Sequence, residues 1–195
     1  MAQAKRKSSN GGNGSKTRTA NETGSSRTAG REDAIPLLKA DHREVAGYFA
    51  EFEKARSDDR KQQLAEKICR ALTVHTTIEE EIFYPAFLEA TEEEDLHHEA
   101  AVEHDGAKKL IAEIESSGPD DDYYDAKLTV LSEMIKHHVN EEEKRDGLFA
   151  KSRQSEMDLD ALGEQLAFRK AELMNDQPSK SSRRLASGDM RGRRD

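Results

Sequence analysis

VHTTIEEEIFYP, residues 74–85, is the stretch on which the fold turns. Its apolar residues continue a stripe at helical spacing, Leu64, Ile68, Ala71, His75, Ile78 and Ile82, so His75 lies on the face that packs inward rather than on the charged face. Glu79 follows one helical turn after His75, on the same side and about 6 Å along the axis. The same arrangement returns in HHVNEEE, residues 137–143, where His138 precedes Glu142 by four. Each copy has a leading histidine, His42 standing 33 residues before His75 and His104 standing 34 before His138. Each leading histidine directly follows an acid, as Asp41-His42 and Glu103-His104. The chain therefore reads as two copies of one unit: a helix with a histidine, a turn, and a helix with His-x-x-x-Glu.

Working outward, apolar residues mark four long helices, over about 33–56, 59–84, 93–115 and 121–143. Asp33 is a candidate N-cap with Pro36 in the first turn, Pro85 is expected to bend or end the second helix, and Ser116-Ser117-Gly118-Pro119 closes the third. From His42 to a turn near Ser57-Asp58 is about 15 residues and from there to His75 about 17, so at roughly 1.5 Å per residue the outward and return paths nearly cancel. The second hairpin gives about 15 out and 19 back. All four imidazoles then meet in one layer of an all-α, antiparallel up-down-up-down four-helix bundle. A short fifth amphipathic helix, Leu159 to Leu173, is expected to dock on it.

Four core histidines at matched heights with two carboxylates on the same face do not suit a metal-free core, where an unpaired buried carboxylate is costly. Imidazole and carboxylate together suit iron, manganese or zinc. Two histidines and one carboxylate per unit make a half-site, and two half-sites face to face make a dinuclear centre whose carboxylates span metals about 3.5–4 Å apart. The expected ligands are His42, His75, Glu79, His104, His138 and Glu142. Glu143 competes with Glu142, which continues the apolar register. His97, His98 and His137 read as surface or outer groups. Glu80, Glu81 and Glu141 read as a solvated acidic face, with Glu80 able to orient a ligand histidine, and Tyr84 reads as a core tyrosine, with a hydrogen bond in the pocket as the alternative.

Composition supports this reading and narrows it. Of 195 residues 36% are charged, Trp is absent, and the net charge is −9. Residues 1–31 carry seven basic side chains against one acid and residues 176–195 six against three, leaving the middle at about −18. The expected organisation is a disordered basic tail over 1–31, one helical domain over 32–174 and a second disordered basic tail over 175–195. The tails are a weak candidate for nucleic-acid contact. The single cysteine, Cys69, excludes an intrachain disulfide, and no apolar run reaches the ~18–20 residues of a membrane span, so a reducing cytoplasm is expected. HExxH, P-loop and GxGxxG patterns are missing, and the repeated Glu-x-x-His of ferritin-like proteins has one match only, Glu94 to His97.

The stretches DAIPLLKADHREV, VHTTIEEEIFYP, VEHDGAKKLI and HHVNEEE resemble the hemerythrin-like, or HHE cation-binding, family over about residues 33–173. The resemblance implies a non-haem di-iron centre of two irons, with His42, His75, His104 and His138 as terminal ligands and Glu79 and Glu142 bridging. It also implies a small partner at iron: O2, NO or peroxide. Two departures limit the transfer. Oxygen-carrying hemerythrins have a further histidine one turn before the third-helix ligand, where this chain has Ala100; Glu99, Glu103 or Tyr48 substitutes, or the site is more open. After Glu142, Lys144-Arg145-Asp146-Gly147 delays the Leu148-Phe149 that the first unit reaches sooner as Phe83-Tyr84-Pro85, and the family spacing prefers Glu143. An open iron suits redox chemistry or sensing better than reversible oxygen carriage, and a site that holds or reports iron without turnover is the rival expectation.

Overall fold

The computed structural model describes residues 33–176, so both expected tails lie outside the described residues, save that the last helix continues to Asp176. Every regular element among the described residues is helical. Helix α1 (Ala34–Lys54) begins on Asp33, whose carboxylate accepts the Ile35 N–H at 2.8 Å, and α2 (Asp58–Ile78) begins on Ser57, which accepts from Arg60 N. Helix α4 (Glu94–Ser116) and α5 (Tyr124–Glu143) form the second hairpin. The four run up, down, up and down, as the sequence predicts.

Of the two outcomes expected at Pro85, an end does not occur: a π turn over Glu79–Phe83 leads directly into α3 (Tyr84–Thr91). In the π turn the Tyr84 N–H reaches back five residues to the Glu79 carbonyl. Pro85 follows immediately, where the ladder changes from five-residue to four-residue spacing and its missing N–H disturbs least. Helix α3 ends on Glu92, whose φ of 57° is the one positive value at a non-glycine among the described residues. A short α6 (Leu148–Gln154), which the sequence reading does not contain, follows α5. Helix α7 (Leu159–Asp176) packs along α1 and α2, with Leu166 fully buried, as the expected fifth helix should.

Two apolar clusters sandwich the histidine layer. Toward the hairpin turns lie Phe49, Phe52, Leu64, Ile68, Ile111 and Leu128. Toward the other end lie Ile35, Leu38, Ile78, Phe83, Phe87 and Phe149. Burying one such side chain stabilises by about 1.5–3 kcal/mol, and together they wall water out of the layer between them. Cys69 is packed in the first cluster. Among the described residues no helix is long and apolar enough to cross a membrane.

Candidate metal centre

The six expected side chains converge in that layer. Each is buried: His42 is 6% exposed, Glu142 2% and Glu79 not at all. The imidazoles stand in two pairs, His42 Nε2 lying 3.1 Å from His75 Nε2 and His104 Nε2 lying 3.2 Å from His138 Nε2. The two glutamates span the pairs. Glu79 Oε2 is 3.2 Å from His75 Nε2 and 3.4 Å from His104 Nε2. Glu142 Oε2 is 3.4 Å from His42 Nε2 and 3.6 Å from His138 Nε2. Glu142, not Glu143, therefore faces inward.

Every ring turns its other nitrogen to an acid. His42 Nδ1 donates to Glu143 Oε1 at 2.8 Å, His138 Nδ1 to Glu103 Oε2 at 2.8 Å and His104 Nδ1 to Glu80 Oε1 at 3.0 Å. His75 Nδ1 faces Asp41 Oδ2 at a longer 3.5 Å. An N–H held by a carboxylate fixes the ring and leaves Nε2 as the coordinating atom, the arrangement that metal-binding histidines use. Apart from Glu80, sequence reasoning passed over this outer ring, although its signal was present. The acid before each leading histidine serves the returning histidine of its own hairpin, Asp41 for His75 and Glu103 for His138. The acid after each inner glutamate serves the leading histidine of the other hairpin, Glu80 for His104 and Glu143 for His42.

The electrostatics call for a cation. Burial works against protonating His138, yet the Glu142, Glu103 and Glu79 carboxylates outweigh it and hold its pKa at about 9. His42 is raised in the same way against its burial, by Glu142, Glu79 and Glu143. Burial opposes ionising Glu79, but the imidazoles of His75, His104 and His138 prevail and hold its carboxyl low. Glu79 Oε1 and Glu142 Oε2 are buried with no hydrogen-bond partner among the described residues. A buried carboxylate oxygen left so costs several kcal/mol unless positive charge compensates it. Two groups of donors, His42, His75, Glu79 and Glu142, and Glu79, His104 and His138, each lie within 4.8 Å of one another. Nitrogen and oxygen donors at that separation, short of positive charge, fit bound metal.

Tyr84 is buried in the core, as expected, and also makes the pocket hydrogen bond that was its alternative. Its hydroxyl donates to Glu142 Oε1 at 3.0 Å and lies 3.2 Å from His104 Nε2 and 3.4 Å from Glu79 Oε2. Burial and the two carboxylates push its pKa well up, so it keeps its proton. The π turn explains how it arrives. In an uninterrupted α-helix a residue five after Glu79 points about 140° away, whereas a π turn brings it back under Glu79. None of the expected substitutes for the missing histidine reaches the centre: Tyr48 donates to Glu44 near the surface, Glu103 holds His138 from outside, and Glu99 is exposed. Half-buried His97 packs edge-on against the Tyr84 ring, and His137 stays exposed with Nε2 3.2 Å from Glu103 Oε1. Glu80 and Glu141 are not simply solvated, since Glu80 bonds His104 and Lys108 while Glu141 pairs with Lys144.

The run after Glu142 also finds its purpose. A Cβ on Gly147 would sit 2.2 Å from the Glu141 carbonyl oxygen and 2.7 Å from that of Glu142. The chain thus folds back tightly over the end of α5, and α6 carries Phe149 onto His42, the rings stacked 5.7 Å apart at 14°.

The hemerythrin HHE cation binding domain family matches residues 33–147. The chain belongs to that family. Its fold is shared with the crystal structure of a hemerythrin HHE cation binding domain-containing protein from Mycobacterium kansasii, at a TM-score of 0.63 and 24% identity over 74% of this chain and 88% of that one. The chain is also similar to a DNA nickase of a Nostoc species, 27% identical over 110 residues, which is 55% of this chain and 30% of that protein's length. Family, His/Glu cluster and fold together make this HHE protein a metal-binding helical bundle.

Proposed function

We propose that the centre is a non-haem di-iron site that binds or processes a small ligand: O2, NO or peroxide. His42 and His75 would hold one iron and His104 and His138 the other, with Glu79 and Glu142 shared between them. The observation that carries this reading is the pairing of four Nε2 atoms around two shared carboxylates, each ring steadied from behind by an acid. Iron held there supplies ferrous–ferric redox chemistry with coordination positions left open to a ligand. The chain supplies the rest. Tyr84 offers a hydroxyl proton toward Glu142 and Glu79, Phe149 and the two apolar clusters exclude water, and the outer acids keep every Nε2 aimed inward. A cavity of about 10 Å³ touches all four imidazoles, room for a guest about the size of a water molecule. That favours a diatomic ligand or peroxide over any larger substrate. A reducing cytoplasm suits a centre that must reach the ferrous state.

Depth of burial favours a second reading, in which the chain holds or senses iron without turnover. One sequence of measurements separates the two. Untagged protein purified without oxygen is assayed for metal per chain, then mixed in a stopped-flow instrument with O2, NO and H2O2. Two irons with a spectral change on mixing is the expected result. Two irons inert to all three select the second reading, and an intact fold without metal overturns both.

A further inference from the structure

A cavity away from the four imidazoles opens between α1, α2 and α7, beside Asp41, with a volume of about 250 Å³. Its walls divide by chemistry. Val45, Ala71, Val74 and Met174 are apolar, while Lys67, Arg70 and Lys170 bring three cations against the acids Asp41 and Glu44. The acids are already engaged: Asp41 pairs with Lys170, and Glu44 accepts the Tyr48 hydroxyl at 2.6 Å. The cations are less so. Lys67 rests over the Tyr48 ring, its Nζ 5.5 Å from the centroid, with no carboxylate partner among the described residues. Arg70 gives Nη2 to the Met174 carbonyl, but its Nε is buried with no acceptor among the described residues. A buried guanidinium N–H without an acceptor is uncommon and costly. Here it stands in a net-positive recess on a domain whose sequence is strongly acidic.

The geometry points to a binding pocket for a small amphipathic anion, a monocarboxylate whose apolar body lies on Val45, Ala71, Val74 and Met174 while its charge meets Arg70 and Lys67. The volume lies just below the ~300 Å³ at which ordinary ligand clefts begin, so the guest is small. A carboxylate supplies the counter-charge that Lys67 and Arg70 lack among the described residues, and the two cations, from one helix, face it together. A neutral molecule of the same shape would bury the same apolar surface and leave both cations without a counter-charge. Inorganic sulfate would meet the charge and leave the apolar wall wet. Binding here does not depend on which metal, if any, fills the centre.

Isothermal titration of the full chain, as purified, with benzoate, benzyl alcohol and sulfate tests this. Saturable benzoate binding is expected, at least about tenfold tighter than either control. Lys67→Gln and Arg70→Gln should each weaken it about fivefold or more. Lys67 carries the test if Arg70→Gln loosens α7, which a melting curve reports. No saturable heat with benzoate, equal affinity for benzyl alcohol, or unchanged binding in a folded Lys67→Gln protein overturns the assignment.

Discussion

The two hairpins supply the same donors but part ways beyond the inner glutamate. After Glu79 the helix continues through its π turn and delivers Tyr84 across the bundle to His104, ring centroids 5.4 Å apart. After Glu142 the helix stops, turns at Gly147, and α6 delivers Phe149 across the bundle to His42. Each hairpin thus covers a histidine of the other, one with a phenol and one with a phenyl ring. A repeated unit makes two equivalent sets of ligands, and the residues just past the repeat make the two positions chemically unlike. The His104 side carries a hydroxyl hydrogen-bonded to both inner carboxylates, while the His42 side carries a phenyl ring that has none.

The strongest way to break the pair is to remove what both halves share. Glu79→Gln should take metal from both positions, leaving under one equivalent per chain by mass spectrometry, and lower the melting temperature of the loaded protein by about 10 °C or more. Phe149→Ala comes next. Losing a buried aromatic typically costs about 3–5 kcal/mol, and urea unfolding should show that loss, with metal lost preferentially from the His42 side. Tyr84→Phe sharpens the contrast, because it makes the two covers alike. Metal content should stay near that of the parent and stability fall by about 1–3 kcal/mol, while the rates with NO or peroxide change in stopped-flow mixing. Unchanged rates would show that the hydroxyl serves packing alone. Smallest is Lys170→Met. Asp41 is the outer acid farthest from its imidazole and the only one of the four tied to α7. Since Lys170 is about a third exposed, freeing Asp41 should cost only about 1 kcal/mol in a melting experiment.

How much of this could be read beforehand depends on the kind of signal. The bundle and the six inner residues were legible because apolar periodicity and the counted distance to each turn are local properties that add up along a helix. Glu142 was preferred to Glu143 on register, and the structure turns Glu142 inward. The outer acids were visible as neighbours of the expected ligands, but Glu80 was read first as a solvated face, Glu103 and Glu143 as rival ligands, and Asp41 was given no role, since a side chain adjacent in sequence points about 100° away. That same angle sends each one behind a histidine on another helix, a tertiary fact that no single-helix pattern contains. At Tyr84 both the core reading and its pocket alternative hold, whereas an end at Pro85 does not occur. Proline is an ordinary stop signal, and only the wider hydrogen-bonded turn before it lets the helix go on. Helix α6 is seven residues long and too short for periodicity to declare.

The π turn can also be counted as one residue of surplus. A helix of the same length closed entirely by four-residue bonds would need one residue fewer between Glu79 and Phe87. Deleting a single residue there, at exposed Glu81, would restore the regular winding and leave Tyr84 four residues after Glu79, about 40° round the helix and still on the carboxylate side. Winding all five residues as a regular α-helix would instead turn Tyr84, and Phe87 with the rest of α3, about 100° from their present places. The segment 79–83 therefore tolerates the loss of one residue better than the gain of one, because its π turn already holds the surplus residue that places Tyr84 beside Glu79 and Glu142.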